Sequence, residues 1–117
     1  MTTVLVVEDD FDLREMIEML LGLEGLRPLG AANGREALRV LARPDGRPDV
    51  ILLDLMMPEM NGWQFREAQL AEPALAAIPV IVMSAMTERG LDGVPFLPKP
   101  FDNQALLDAI QRVAPAA

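Results

Sequence analysis

Hydrophobic and polar positions follow two alternating rhythms along this chain. Short, wholly apolar runs occur at Val4-Leu5-Val6-Val7, Val50-Ile51-Leu52-Leu53 and Pro79-Val80-Ile81-Val82-Met83, with a minimal one at Phe96-Leu97. A run without polar alternation predicts a strand covered on both faces, the usual condition of a parallel sheet. Residues 26–32 predict a weaker strand, broken by Pro28 and Gly30 and so expected at a sheet edge. Between these runs the period lengthens. From Asp12 onward, Leu13, Ile17, Leu20 and Leu21 recur at helical spacing, with Arg14, Glu15 and Glu18 opposite, until Gly22 and Gly25 stop the helix. Ala37, Leu38 and Leu41 predict a second helix after Asn33-Gly34, ending before Pro44. Residues 63–71 predict a third. A last helix runs from about Asp102, a good N-cap, through Leu106, Leu107, Ile110 and Val113.

Strands alternating with helices predict an α/β fold, with a parallel sheet, right-handed crossovers and helices on both faces. All strand ends then share one edge, the edge at which open α/β sheets bind ligands. Glu8, Asp9, Asp54, Ser84 and Lys99 each follow such a strand and converge there. Singly, each has an ordinary reading: Asp54 as a turn residue, Lys99 as a solvated lysine, Ser84 as a helix cap. Their joint placement is what points to a site.

Composition narrows the chemistry. A chain of 117 residues, 51% hydrophobic and 4% aromatic, suits one domain with an aliphatic core. Residues 1–117 are read as that single domain, with 114–117 as a tail or the start of a linker. No window is apolar enough to span a membrane, and no basic region precedes an apolar one at the amino terminus. With no cysteine there is no disulfide or thiolate metal site, which fits the cytoplasm. With no histidine, any phosphohistidine in the chemistry must come from another chain. A formal charge of −8 argues against direct binding to nucleic acid or to an anionic membrane.

Three carboxylates meeting at one strand edge repel one another and raise at least one pKa unless a cation intervenes. Mg2+ is the natural ion, because it binds through a few carboxylates and keeps waters for a phosphate-bearing partner. No calcium-binding loop can be read from Asp9 or Asp10. A carboxylate can also attack phosphorus and form an acyl phosphate, and Asp54, at the centre of the set, is the one assigned that role. Lys99 would supply a fixed cation to the phosphoryl oxygens and Ser84 a hydroxyl donor.

These residues carry a resemblance. Val6-Val7-Glu8-Asp9-Asp10, Leu53-Asp54-Leu55-Met56-Met57-Pro58 with Gly62, Ser84-Ala85 and Pro98-Lys99-Pro100-Phe101 occur in the right order and context. The sequence thereby resembles the receiver domains of two-component response regulators, the CheY-like superfamily, over nearly its whole length. The resemblance implies a flavodoxin-like, doubly wound five-stranded parallel sheet of order 2-1-3-4-5. It implies a phosphorylation-controlled interaction switch, not a metabolic enzyme, in which Asp54 takes phosphate from a sensor histidine kinase or histidine phosphotransfer protein. Its downstream partner would be another protein. Mg2+, with Mn2+ as its substitute, would be held by Asp9, Asp54 and the Met56 backbone carbonyl, assisted by Glu8. Ser84 and Phe96 would be the switch pair, and Lys99-Pro100 a cis peptide bond.

Departures from the family pattern matter too. Only eleven residues, 85–95, separate Ser84 from Phe96, where receivers usually carry a full helix. With two glycines and a proline among them, the helix between strands four and five (the family's helix four) is expected to be absent or a single turn. Met56 and Met86 lie two residues beyond Asp54 and Ser84, beside the line along which water would attack a phosphoryl group. Neither can orient a water, so slow self-dephosphorylation is expected. The competing reading is a degenerate receiver that works as a phosphate-independent interaction module, against which the complete acidic set argues. A flavin-binding flavodoxin is excluded because Glu8-Asp9-Asp10 would repel the cofactor phosphate. A haloacid-dehalogenase-type phosphatase would need an aspartate where Met56 stands.

Overall fold

A computed structural model describes residues 2–85, 91 and 93–114. Five strands, β1 (Thr3–Val7), β2 (Arg27–Ala31), β3 (Val50–Asp54), β4 (Val80–Ser84) and β5 (Phe96–Pro98), form one sheet of order β2-β1-β3-β4-β5. Every pairing is parallel, and the expected order and the edge position of β2 are both observed. The helices are α1 (Phe11–Leu23), α2 (Gly34–Leu41), α3 (Gly62–Ala71), α4 (Pro73–Ala76) and α5 (Asn103–Val113).

The unbroken apolar runs have a simple cause. Successive strand side chains point to opposite faces, and both faces are covered. Leu5, Val7, Ile51, Leu53, Val80 and Val82 join the core on the α2–α3 side, whereas Val4, Val6, Val50, Leu52, Ile81 and Met83 join the α1–α5 side. Each fully buried aliphatic side chain contributes roughly 1.5–3 kcal/mol by leaving water, an upper estimate because unfolded chains are partly compact.

Local signals set the helix starts. Asp10, Asn33, Asn61 and Asp102 accept from Leu13 N, Glu36 N, Gln64 N and Ala105 N respectively, each satisfying a first-turn donor. Asn61 and Gln64 bond reciprocally, a capping box that starts α3 at Gly62, one residue earlier than periodicity alone predicts. The short α4 lies beyond the helices that periodicity predicts, although Glu72 as N-cap and Pro73 in its first turn are the signals that mark it. The expectation of a missing crossover helix falls on residues 86–90 and 92 and so lies outside the described residues. Of the same crossover, Ala85 and Leu91 lie in bends and Gly93 in a turn.

Candidate functional site

Parallel pairing brings the carboxyl ends of β1, β3, β4 and β5 to one edge. Val7 lies beside Leu53, Asp54 beside Met83, and Ser84 beside Pro98, so the residues that close these strands are neighbours. Glu8 follows β1 and is 1% exposed; Asp54 ends β3 at 4%; Ser84 ends β4 and is fully buried. Lys99 follows β5, and its N–H donates to the Ser84 carbonyl at 2.8 Å. The Lys99-Pro100 peptide bond is cis, as expected.

Glu8, Asp9 and Asp54 each place a carboxylate oxygen within 4.8 Å of the other two. Lys99 Nζ lies 2.5 Å from Glu8 Oε1 and 3.5 Å from Asp54 Oδ1, so one ammonium faces two buried carboxylates. Backbone and guanidinium donors fix Glu8 further. Asp10 N–H donates to Glu8 Oε2 at 3.0 Å, and Arg14 Nη1 to the Glu8 carbonyl at 2.7 Å. The Met56 N–H donates weakly to Asp54 Oδ1 at 3.4 Å.

Electrostatics single out Asp54. Burial, then the Glu8 charge, push its carboxyl up from 3.8 to about 7; Lys99 and the Met56 N–H oppose the rise without cancelling it. Burial alone would pull the Lys99 ammonium down, but its hydrogen bond to Glu8 and attraction to Asp54 and Glu8 leave it above its ordinary value. Asp54 is therefore a buried acid held partly protonated by its own neighbourhood, the condition a divalent cation relieves.

The donor set fits such an ion. All three groups are hard oxygens, and bonds of about 2.1 Å in an octahedral shell span roughly 4.2 Å between opposite ligands. The same shell sets adjacent ligands roughly 3 Å apart, and three oxygens all within 4.8 Å of one another can converge on one ion by closing inward.

Gly62 lets α3 begin against this edge. A Cβ there would lie 2.6 Å from the Asp54 carbonyl oxygen and 2.7 Å from Leu55 Cα. Of the other expected site residues, Met56 is 61% exposed beside Asp54, and Phe96 is half-buried against the α2–α3 core. Met86 lies outside the described residues. Sequence reasoning missed Asp10 as the α1 cap, although an Asp before an apolar-periodic run is a cap signal. It also missed Arg14, whose bond to the Glu8 carbonyl leaves no trace in residue spacing.

The response regulator receiver domain family model matches residues 4–111. The chain belongs to that family. Receiver domains are components of two-component systems, and the similar proteins agree. The chain is 40% identical to protein-glutamate methylesterase/protein-glutamine glutaminase of Treponema pallidum, covering 87% of this chain and 27% of that protein. It is 35% identical to the phosphate regulon transcriptional regulatory protein PhoB of Escherichia coli, covering 94% and 50% respectively. The chain thus spans between about a quarter and a half of the length of these curated relatives. Against the chemotaxis protein CheY4 of Vibrio cholerae it superposes with a TM-score of 0.87 at 32% identity, covering 97% of this chain and 98% of that one. The receiver domain of a signal transduction histidine kinase from Syntrophus aciditrophicus gives a TM-score of 0.85 at 30% identity, covering 97% and 89%. Among the described residues no helix is long and apolar enough to cross a membrane.

Proposed function

We propose that this receiver accepts a phosphoryl group on Asp54 from a phosphohistidine carried by a kinase or phosphotransfer protein. One observation carries the reading: Asp54 closes the middle strand β3 as a buried carboxylate within reach of Lys99, Glu8 and Asp9, whereas both oxygens of the equally buried Glu8 are already engaged by Lys99 and the Asp10 N–H. An Asp54 carboxylate oxygen attacks phosphorus, and the phosphorus–nitrogen bond of the donor breaks. The electron pair stays on the imidazole, and an acyl phosphate forms on Asp54. Lys99 supplies a cation to the phosphoryl oxygens, and Ser84 is the hydroxyl that turns toward them. Asp9, Asp54 and the Met56 carbonyl would hold Mg2+ or Mn2+, with Glu8 assisting. The ion would supply positive charge against the phosphoryl oxygens and favour the ionised form of Asp54.

The donor must bring the histidine, since the chain has none. An apolar groove of about 290 Å³, lined by Leu13, Met16, Ala85, Lys99, Pro100 and Phe101, opens beside Lys99 and has room for an apolar side chain of the donor. The charge change at Asp54 would bias Ser84 and Phe96 between two arrangements, altering the surface offered to a downstream protein. The receiver modifies only itself, and its acidic balance fits protein partners better than nucleic acid or membrane.

Acetyl phosphate with Mg2+, read by intact-protein mass spectrometry, tests the proposal. One phosphoryl addition is expected on the wild type and none on Asp54→Ala. Addition to both, or to neither, rejects Asp54 as acceptor; an unmodified chain that still binds its partner would favour the phosphate-independent module.

A further inference from the structure

The connection between Asp54 and α3, residues 55–61, is closed at its base, capped onto α3 through Asn61, and tied across to the start of α2. At the base, Gly62 N–H donates to the Leu55 carbonyl at 3.0 Å. Beyond it, three contacts run to the beginning of α2. Gly34 N–H donates to the Met60 carbonyl at 2.9 Å, Asn33 Nδ2 donates to Glu59 Oε2 at 3.3 Å, and Arg35 Nε lies 4.0 Å from Glu59 Oε1. A Cβ on Gly34 would sit 2.7 Å from Met60 Cγ and 3.0 Å from the Met60 carbonyl oxygen, so the close approach depends on glycine.

Asn33 is only 6% exposed, and its amide is divided between two tasks. Its Oδ1 accepts from Glu36 N at 2.9 Å and caps α2. Its Nδ2 reaches across to Glu59, whose φ of 64° is the left-handed conformation that side chains other than glycine disfavour. A cap requires the oxygen alone. The amide donor, and the strained residue it meets, remain to be explained by something other than capping.

We infer that Asn33 is a positioning residue for the metal site: through Glu59, and alongside the Gly34 N–H that holds the Met60 carbonyl, it sets the 55–61 connection, and so the Met56 carbonyl. This rests on the reading of that carbonyl as a metal ligand given above. Contacts one step removed from ligands tune affinity by holding the ligands in place.

The test exploits the two halves of the amide. Asn33→Asp keeps the capping oxygen but replaces the donor with a carboxylate oxygen facing Glu59. Its added negative charge would by itself strengthen cation binding, so a weakening cannot come from charge. Combining Asn33→Asp with Glu59→Gln restores a donor–acceptor pair with the polarity reversed and returns the net charge to that of the wild type. Isothermal titration with Mg2+ should show about tenfold weaker binding for Asn33→Asp and recovery in the double variant. Thermal melting should show α2 still capped, with little change between the three proteins.

Wild-type affinity in Asn33→Asp, or no recovery in the double variant, overturns the inference. If Asp54→Ala abolishes Mg2+ binding in the same series, the metal-site reading survives that failure. If the wild type itself takes up no Mg2+, both fall together.

Discussion

Lys99 Nζ sits 1 Å closer to Glu8 than to Asp54, at 2.5 Å against 3.5 Å. The one ammonium of the site is thus engaged mainly by the carboxylate that is not the proposed acceptor. A phosphoryl group arriving on Asp54 would compete for it with three charged oxygens, and charge-assisted bonds to phosphate are strong. Lys99→Ala therefore has two expected effects. It removes the cation that stabilises the developing charge, lowering the rate of acetyl phosphate labelling by about a hundredfold. It also leaves Glu8 and Asp54 facing each other without their counter-charge, so the apparent pKa of Asp54 should rise further. Labelling rates and NMR titration of the Asp54 carboxyl carbon check the two effects separately. An unchanged labelling rate would remove Lys99 from the chemistry.

Asp54 also predicts how stability depends on pH. In the fold it keeps its proton up to about 7, whereas an unperturbed carboxyl loses it near 3.8. Between those values the folded state binds the extra proton, so stability is fully present below about 3.8 and falls as pH rises through about 7. A tenfold change in proton affinity corresponds to roughly 1.4 kcal/mol, which sets an upper limit of a few kcal/mol for this one group. Asp54→Asn removes the effect. Its melting temperature should gain on that of the wild type across this range and hold a constant lead above it, in metal-free buffer. Added Mg2+ should then raise the wild-type Tm by mass action and leave the variant's almost unmoved. A Tm difference independent of pH would contradict the proton held by Asp54.

Gln69 is a buried polar group whose role is structural. It is fully buried in α3; its Nε2 donates to the Leu75 and Ile78 carbonyls at 2.9 and 3.1 Å, and its Oε1 accepts from Arg66 at 2.8 Å. These bonds tie α3 to the turn that feeds β4. Gln69→Leu keeps the volume but takes the side-chain donor from the Ile78 carbonyl, while the Leu75 carbonyl keeps the Ile78 N–H at 3.1 Å; the expected loss is about 1–3 kcal/mol. Urea unfolding measures the loss, and Mg2+ affinity should not change. A loss of Mg2+ binding at unaltered stability would show that the turn reaches the site.

Gln69 and Asp54 mark the limits of what the sequence makes legible. The sheet order, the strand-edge cluster and the cis Lys99-Pro100 bond were all readable. Apolar runs of one type fix parallel strands, parallel strands align their ends, and the four motifs come in family order. Gln69 was not readable, because a glutamine in a helical pattern looks like any solvated residue until its partners fold over it. The Asn33–Glu59 bond was equally silent: it joins residues 26 positions apart through conformations no local pattern encodes. Asp54 stands between these cases. Its place at a strand end followed from the sequence, but its raised pKa depends on burial and on distances to Glu8 and Lys99 that only the fold supplies.

On the proposed reading, Met56 is the residue expected to set the lifetime of a phosphorylated Asp54. It follows Asp54 by two positions, its N–H lies 3.4 Å from Asp54 Oδ1, and at 61% exposed its side chain is not locked in the core beside the proposed acceptor. Hydrolysis of an acyl phosphate needs a water aligned opposite the aspartyl oxygen, and a thioether neither donates a hydrogen bond nor accepts one well. An amide does both. Met56→Asn should therefore speed the decay of phospho-Asp54 in Mg2+, by about tenfold if it gains one positioned hydrogen bond to the attacking water. The substitution is exposed, so stability should shift by less than about 0.5 kcal/mol. Decay is followed by the loss of the phosphorylated mass after the donor is removed, at fixed Mg2+. Marked slowing in Met56→Asn relative to the wild type would contradict this account. It would mean that the methionine was already assisting hydrolysis, by excluding competing geometries instead of orienting water.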